Sequence, residues 1–316
     1  MIISDKDKRT RRLGLVYSTP MGLWLSLFFM VPLLIIIIYS FLTKGLYGGV
    51  ELPVTMTAYK QMFNPNFLRV LLRTLWVASL STLLTIVLAL PCGYAMARSK
   101  HQTFWLGMVI IPFWTNSLIR VYAWISILSS EGFVNEALKT LGIIKESLSL
   151  IYNQGAVITV LIYMYIPFAI LPLFTTIDKF DFALLEAARD LGATKPQAIF
   201  KVLLPNIRSG IITSVIFTFI PIFGAYTVPL LVGGKDSYLI GNIIVDQVTK
   251  TRNWPLASAF SLIITLLSTL GVLWMMTSTA RERARLKQQP VKDRDDLQIN
   301  GTAIIESSLK NSTGGR

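Results

Sequence analysis

Six stretches of this chain are long and apolar enough to cross a lipid bilayer, which removes most of the folds open to a protein of 316 residues. They run Met21 to Leu42, Thr74 to Ala97, Thr103 to about Leu118, Gly155 to Ile177, Ile211 to Val232 and Leu256 to Thr277. A hydrocarbon core of about 30 Å takes roughly 20 helical residues. No water is present there to satisfy a free amide or carbonyl, so each stretch must close its hydrogen bonds within itself as a helix. Composition agrees, because 53% of the residues are hydrophobic and only 15% are charged, too few to wet the surface of a soluble domain. The expected fold class is an all-α polytopic membrane protein with six transmembrane helices.

The third stretch is the shortest. It meets Arg120 and then a second apolar run, Val121 to Leu128, which reads as an interfacial helix. The first stretch follows the basic run KDKRTRR, as a signal peptide would. About twenty uncharged residues exceed a signal core, however, and no small-x-small cleavage site follows, so a retained anchor is expected.

Lysine and arginine set the orientation. Five lie in the N-terminal tail, Arg98 and Lys100 follow the second stretch, five lie between Lys179 and Arg208, and eight lie beyond Ala280. That side of the membrane holds 20 of the 30 basic residues and is therefore expected to be cytoplasmic, with both termini on it. The boundaries drawn are a basic cytoplasmic tail over 1–20, a transmembrane domain over 21–280 with a cytoplasmic loop over 178–208, and a charged, aromatic-poor tail over 281–316 that is expected to be disordered. The net charge of +13 follows from this distribution. It serves topology and contact with anionic lipid headgroups, and no nucleic-acid partner is expected.

Three segments fall on the opposite side. Residues 43–69 carry turn signals in KGLYGGVELP and NPN. Residues 129–153 contain EGFVNEALKTLGII, whose apolar positions Phe133, Ala137, Leu138 and Leu141 have helical spacing and predict a helix on the membrane surface. The segment GGKDSYLIGNIIVDQVTKTRNWPLAS is partly apolar and reads as re-entrant.

The cytoplasmic loop holds an unusually polar run, EAARDLGATKPQAIFKVLLP, residues 186–205. Phe182, Leu185 and Ala188 share one helical face, flanked by Leu184 and Leu191, while Glu186, Arg189 and Asp190 are spaced to interact one turn apart. Gly192 stands where a helix ends in the left-handed conformation that glycine adopts cheaply. Thr194-Lys195-Pro196-Gln197 then forms a capping box with proline in the first turn. It opens a second helix from about Lys195 to Leu203, which Pro205 is expected to end. The prediction is helix, glycine corner, helix.

These residues carry a resemblance. Glu186-Ala187-Ala188, three residues, Gly192, nine residues, then Val202-x-Leu204-Pro205 resembles the signature loop of permease subunits of binding-protein-dependent ABC importers, with Val202 in place of the usual isoleucine. IPFWTNSLIRVYAW at 111–124, LIGN at 239–242 and RNWP at 252–255 are similar to the first of the two transmembrane subunits of spermidine/putrescine importers, a likeness running from about Leu13 to Leu286. The resemblance implies the type I importer permease fold in a bacterial inner membrane. It implies as partners a second homologous permease subunit, two ATPase subunits that hold ATP and magnesium, and a periplasmic polyamine-binding protein. It assigns ATPase coupling to Glu186, Ala187, Ala188, Gly192, Val202, Leu204 and Pro205.

A flexible polycation needs aromatic faces and polar oxygens along its route, and Trp114, Asn116, Tyr122, Trp124, Tyr226 and Trp254 are the candidate path residues, with Tyr163 and Tyr165 beside them. The residues PFWTNSLIR also fit an interfacial belt, Trp114 anchoring and Arg120 snorkelling. No aspartate or glutamate lies deep in any stretch, which places tight capture on another protein.

No G-x-x-x-x-G-K-[ST] occurs, so ATP hydrolysis is expected on another chain and no cofactor on this one. Cys92 is the only cysteine and His101 the only histidine, which leaves no disulfide, no Cys/His metal cluster and no acid-base pair for an enzyme. Rival readings are an importer of the same class for iron, sulfate or an organic anion, and an ion-coupled secondary transporter. The latter class runs on intramembrane ionisable residues, of which this chain has almost none.

Overall fold

Proline and asparagine, more than hydropathy, decide where the helices of this chain begin and bend. The structure, a computed structural model, describes residues 17–288. The first helix, α1, is Tyr17–Ser40 and widens into a π turn at Ser26–Met30, directly ahead of Val31-Pro32. A two-residue antiparallel ribbon follows, β1 (Thr43–Lys44) on β2 (Val50–Glu51), then α2 (Thr57–Met62).

The next helix, α3, is Pro65–Ala97. Asn64 caps it, its side chain accepting from the Asn66 amide at 3.0 Å, and Pro65 supplies a fixed first turn. The helix therefore starts well before the expected Thr74 and carries Arg69 and Arg73. At about 50 Å it is longer than the hydrocarbon core is thick.

The third stretch is broken. Helix α4 (Gln102–Ile110) tightens into a 3₁₀ turn at Ile111–Trp114, the chain is extended at Thr115, and α5 (Ser117–Leu128) starts afresh under the Asn116 cap, which accepts from Leu118 at 2.8 Å. The arms Gln102–Trp114 and Ser117–Thr140 bend by 92°. The expected continuation to Leu118 is thus corrected: Pro112 and Asn116 end one helix and start another.

Beyond it, α6 (Phe133–Thr140) is held by buried Asn135, which donates to the Ser129 and Leu148 carbonyls at 3.0 Å and accepts from the Leu148 amide at 2.8 Å. Helix α7 (Gln154–Asp178) leads to α8 (Ala183–Asp190), α9 (Lys195–Asn206) and α10 (Arg208–Phe223), with a bend of 72° between α9 and α10.

The fifth stretch, expected to run to Val232, stops at Phe223 and resumes as α11 (Thr227–Val232). Packing makes this break. In α12 (Ile240–Thr249) a Cβ on Gly241 would lie 2.8 Å from the Gly224 and Ala225 carbonyls, and Asn242 Nδ2 donates to the Tyr226 carbonyl at 2.8 Å. The α12 start is itself capped from α3, where Thr74 Oγ1 accepts from the Ile240 amide at 2.9 Å.

Helix α13 is Trp254–Gln288 and passes the expected boundary at 280, because Ala280, Arg281, Glu282, Arg283 and Ala284 are good helix formers and extending a helix is cheap. The rest of the 281–316 tail and most of the 1–20 tail lie outside the described residues. By contacts the chain divides into Met1–Ser268 and Thr269–Arg316, and the described part of the second unit is the end of α13.

Among the described residues, four helices are long and apolar enough to span a membrane, and up to six spans result if each bent pair counts as one. Helices α3, α7 and α10 form the centre of the first unit, in two clusters. One holds Val77, Val157, Leu161, Ile222 and Phe223, the other Ala89, Met96, Leu173, Ile177 and Leu203. Small and hydroxyl residues let these helices approach, as membrane helices require in the absence of a hydrophobic drive between them. Ser214 Oγ donates across to the Ala169 carbonyl at 2.9 Å. At Gly210 an added Cβ would sit 2.5 Å from Thr176 Oγ1 and 3.1 Å from the Pro172 carbonyl. Thr176 cannot yield easily, since its hydroxyl is bound to that same carbonyl at 2.8 Å. Gly210→Val is therefore expected to force α10 off α7 and lower stability by about 1–3 kcal/mol, read as a reduced thermal midpoint of the purified protein.

Candidate functional site

The polar run folds into the predicted helix pair. Helix α8 ends in a Schellman arrangement around Gly192, at φ +90°: the Ala193 amide donates to the Ala188 carbonyl at 3.0 Å and the Gly192 amide to the Arg189 carbonyl at 2.9 Å. No atom lies within 4 Å of where a Gly192 Cβ would be, so the demand for glycine there is one of backbone conformation alone. The capping box is present, the Thr194 amide donating to Gln197 Oε1 at 2.9 Å and Thr194 Oγ1 accepting from the Gln197 amide at 3.5 Å.

Pro205 does not end the second helix, as the sequence led one to expect. A π turn at Ile199–Leu203 precedes Leu204-Pro205 just as one precedes Val31-Pro32, and α9 runs on to Asn206. The wider turn accommodates the proline ring, and Asn206 Nδ2 donates to the Val202 carbonyl at 2.7 Å.

The two faces of the pair differ. Leu185, Ala198, Leu203 and Ile207 are buried with Met96, Ala97, Leu173 and Ile177, so the pair is rooted in the α3–α7 core. Of the residues expected to couple, Ala188, Val202 and Leu204 are half-buried along this seam, while Glu186, Ala187, Gly192 and Pro205 are exposed. Leu184 and Leu191, expected on the flank of the apolar face, point outward, Leu191 being 90% exposed. A shallow polar depression at the corner is lined by Glu186, Arg189, Asp190, Ala193, Thr194 and Lys195.

Among the described residues no ion pair within 4.0 Å joins Glu186 to Arg189 or Lys195. The Glu186 charge is felt instead at Arg98, just past the end of α3. There the hydrogen bond to the Tyr94 hydroxyl, 3.3 Å long, raises the guanidinium pKa above its ordinary value, and Glu186 adds a smaller contribution. Arg98 also lies over the Phe182 ring at 5.3 Å. Gln102 Nε2 donates to Asp178 Oδ1 at 2.8 Å and to the Ala97 carbonyl at 3.0 Å, tying α4 to the ends of α3 and α7. Sequence reasoning missed this collar, because partners 76 residues apart leave no local signal.

The candidate path residues lie on several elements. Trp114 is 84% exposed at the break between α4 and α5, Asn116 caps α5, and Tyr122 is exposed on it. Trp124 meets Tyr163 edge-on at 5.4 Å, so the structure brings those two together. Trp254 stacks on Tyr39 of α1 at 6.2 Å, and Tyr226, half-exposed, starts α11. Tyr165 leans on Phe168 at 6.0 Å, and Phe168 meets Phe113 edge-on at 5.8 Å. Arg120 was not among the candidate path residues. Its guanidinium lies 4.4 Å from the Phe113 ring centre.

Residues 9–283 match the family described as binding-protein-dependent transport system inner membrane component. The spermidine/putrescine transport system permease protein PotB of Escherichia coli (strain K12) is 37% identical over 268 residues, 84% of this chain and 98% of that protein. Its namesake in Haemophilus influenzae is 36% identical over 249 residues, 78% of this chain and 87% of that protein. Among solved structures, a bacterial ABC transporter involved in the import of the acidic polysaccharide alginate is similar with a TM-score of 0.70 at 18% identity, covering 87% of this chain and 98% of its own. That likeness is one of fold.

The two faces of the helix pair separate by mutation. Leu185→Ala is expected to leave a cavity under α8 and cost about 2–5 kcal/mol, whereas Leu191→Ala is expected to stay within about 0.5 kcal/mol of the parent, both measured by thermal unfolding of the purified protein.

Proposed function

The chain belongs to the family of binding-protein-dependent transport system inner membrane components, and from that premise we propose that it is a permease subunit of an ATP-driven importer carrying spermidine or putrescine across a bacterial inner membrane. The observation that carries the substrate is the 37% identity to the Escherichia coli spermidine/putrescine permease, which extends over 84% of this chain. In this reading the chain crosses the membrane six times, the bent helices supplying the third and fifth spans, with both termini in the cytoplasm. The clustering of lysine and arginine supports that orientation.

Its partners are a second homologous permease, two ATPase subunits that hold ATP and magnesium, and a periplasmic polyamine-binding protein. The chain itself transports and does not catalyse. The exposed face of α8, with Glu186, Ala187 and Leu191, meets the ATPase. Closure of the ATPases on ATP pushes this face, and because Leu185, Ala198 and Leu203 share a cluster with α3 and α7, the push reaches the span helices as one body. The cavity turns from inside-facing to outside-facing, and release after hydrolysis returns it. Polyamine then passes along Trp114, Asn116, Tyr122, Trp124, Tyr226 and Trp254, held by aromatic faces and carbonyls at about 0.5–2 kcal/mol per cation–π contact. That is weak enough to let go.

The test is uptake of radiolabelled spermidine and putrescine by the complex of both permeases, the ATPase and the binding protein in proteoliposomes. Accumulation of sulfate or an organic anion, with none of either polyamine, would sink the substrate assignment.

Two sets of variants address the parts. Gly192→Val puts a β-branched residue at a left-handed corner at a cost of about 1–2 kcal/mol and is expected to abolish uptake and reduce co-purification of the ATPase with the spans still inserted; Glu186→Ala is expected to be milder. Trp114→Ala and Tyr122→Ala are expected to lower uptake while assembly and the binding protein's affinity stay intact, and unchanged uptake in both would return these residues to an interfacial belt.

A further inference from the structure

Arg120 is a cation with no carboxylate within 4.0 Å among the described residues. It lies in the first turn of α5, its amide donating to the carbonyl of the Asn116 cap at 3.3 Å. Its Nε and Nη1 are buried and have no hydrogen-bond partner. Burying guanidinium donors without acceptors is costly, and a chain that folds this way must compensate the charge by other means. The compensation visible here is aromatic: the guanidinium sits over the Phe113 ring at 4.4 Å. Phe113 is braced by Phe168, which in turn meets Tyr165, a residue within electrostatic reach of the arginine.

An aromatic seat of this kind is what a polyamine ammonium would seek, since the quadrupole that holds a guanidinium also holds an alkylammonium. The seat adjoins Trp114 and Asn116, so its meaning rests on the reading of that break as part of a polyamine route. Left empty, it would add one more cation–π contact to those of the route and slow the escape of a passing polycation. Filled by a fixed cation, it cannot, and each approaching ammonium is repelled.

We propose that Arg120 is a tethered cation that occupies the aromatic seat on the polyamine route and keeps the permease from holding its substrate. It is a positioning and specificity residue that lowers affinity, and its function is release. On this proposal Arg120 must stay free of an ion pair, which would cancel the repulsion, and among the described residues no carboxylate lies within 4.0 Å of it.

The test uses the whole complex of both permeases and the ATPase, purified without the binding protein, with radiolabelled spermidine as the probe. Arg120→Met, neutral and of similar length, removes the repulsion and is expected to bind spermidine about tenfold more tightly than the parent, a factor within the range of one relieved contact between like charges. The same variant should take up spermidine more slowly when the binding protein is restored. Arg120→Lys, which keeps the charge, is expected to bind as weakly as the parent. Spermidine binding by Arg120→Met no tighter than that of the parent overturns the proposal. Should Arg120→Met fail to assemble, Arg120→Gln takes its place. Failure of both neutral variants alongside normal assembly of Arg120→Lys also overturns the proposal, since the charge would then serve assembly. Spermidine uptake by the parent complex is a separate arm. If it is absent the polyamine reading itself falls, whereas parent uptake with unchanged Arg120→Met binding removes only the role given to Arg120.

Discussion

A backbone amide or carbonyl in hydrocarbon has no water to turn to, and the architecture of this chain follows from how each such group is paired. Within the straight helices the pairing is internal. The informative places are the breaks, where a side chain or a distant helix supplies the missing partner. Asn116 restarts the chain after Trp114, and Thr115 Oγ1 donates to the freed Pro112 carbonyl at 2.6 Å. Asn242 binds the Tyr226 carbonyl beyond Phe223, and Thr74 of α3 caps α12. Each break is a polar joint in an apolar body, and the candidate path residues Trp114, Asn116 and Tyr226 sit at two of these joints.

The same economy of polar groups would let the proposed push on the outside of the helix pair reach the spans. Between α3, α7 and α10 the contacts are close, made by glycine, alanine, serine and threonine, so the helices have little slack. The helix pair belongs to this body because its buried side chains enter the α3–α7 cluster, while Arg98 on Phe182 and Gln102 on Asp178 fasten the rim. A helix pair held only by its own turns would yield under load.

Charge is distributed with equal consequence. No aspartate or glutamate lies deep within the described spans, Asp178 standing at the very end of α7, which suits the proposed weak passage of a polycation, and the cation near the α4–α5 break leans on the Phe113 ring instead of an acid. In the proposed function, affinity then resides in a separate binding protein and the permease alternates its access.

Hydropathy and local turn chemistry were enough to read the apolar stretches as helical, the capping box at Thr194 and the left-handed corner at Gly192, because each depends on residues within about one or two helical turns. The motif from Glu186 to Pro205 was read instead from its resemblance to a family's loop, and its coupling role belongs to the proposed function. What the sequence could not show were the partners brought from far along the chain. The early start of α3 was missed because an apolar count does not register a cap. The break after Phe223 was missed because Gly241 and Asn242 of α12 impose it by packing. Pro205 was misread because a π turn lets the helix pass it. How far the apolar face of α8 is covered, with Leu185 buried but the flanking Leu184 and Leu191 left exposed, was decided by the position of α3 and α7. Helical periodicity says that side chains share a face; only the neighbouring helices decide which face is buried.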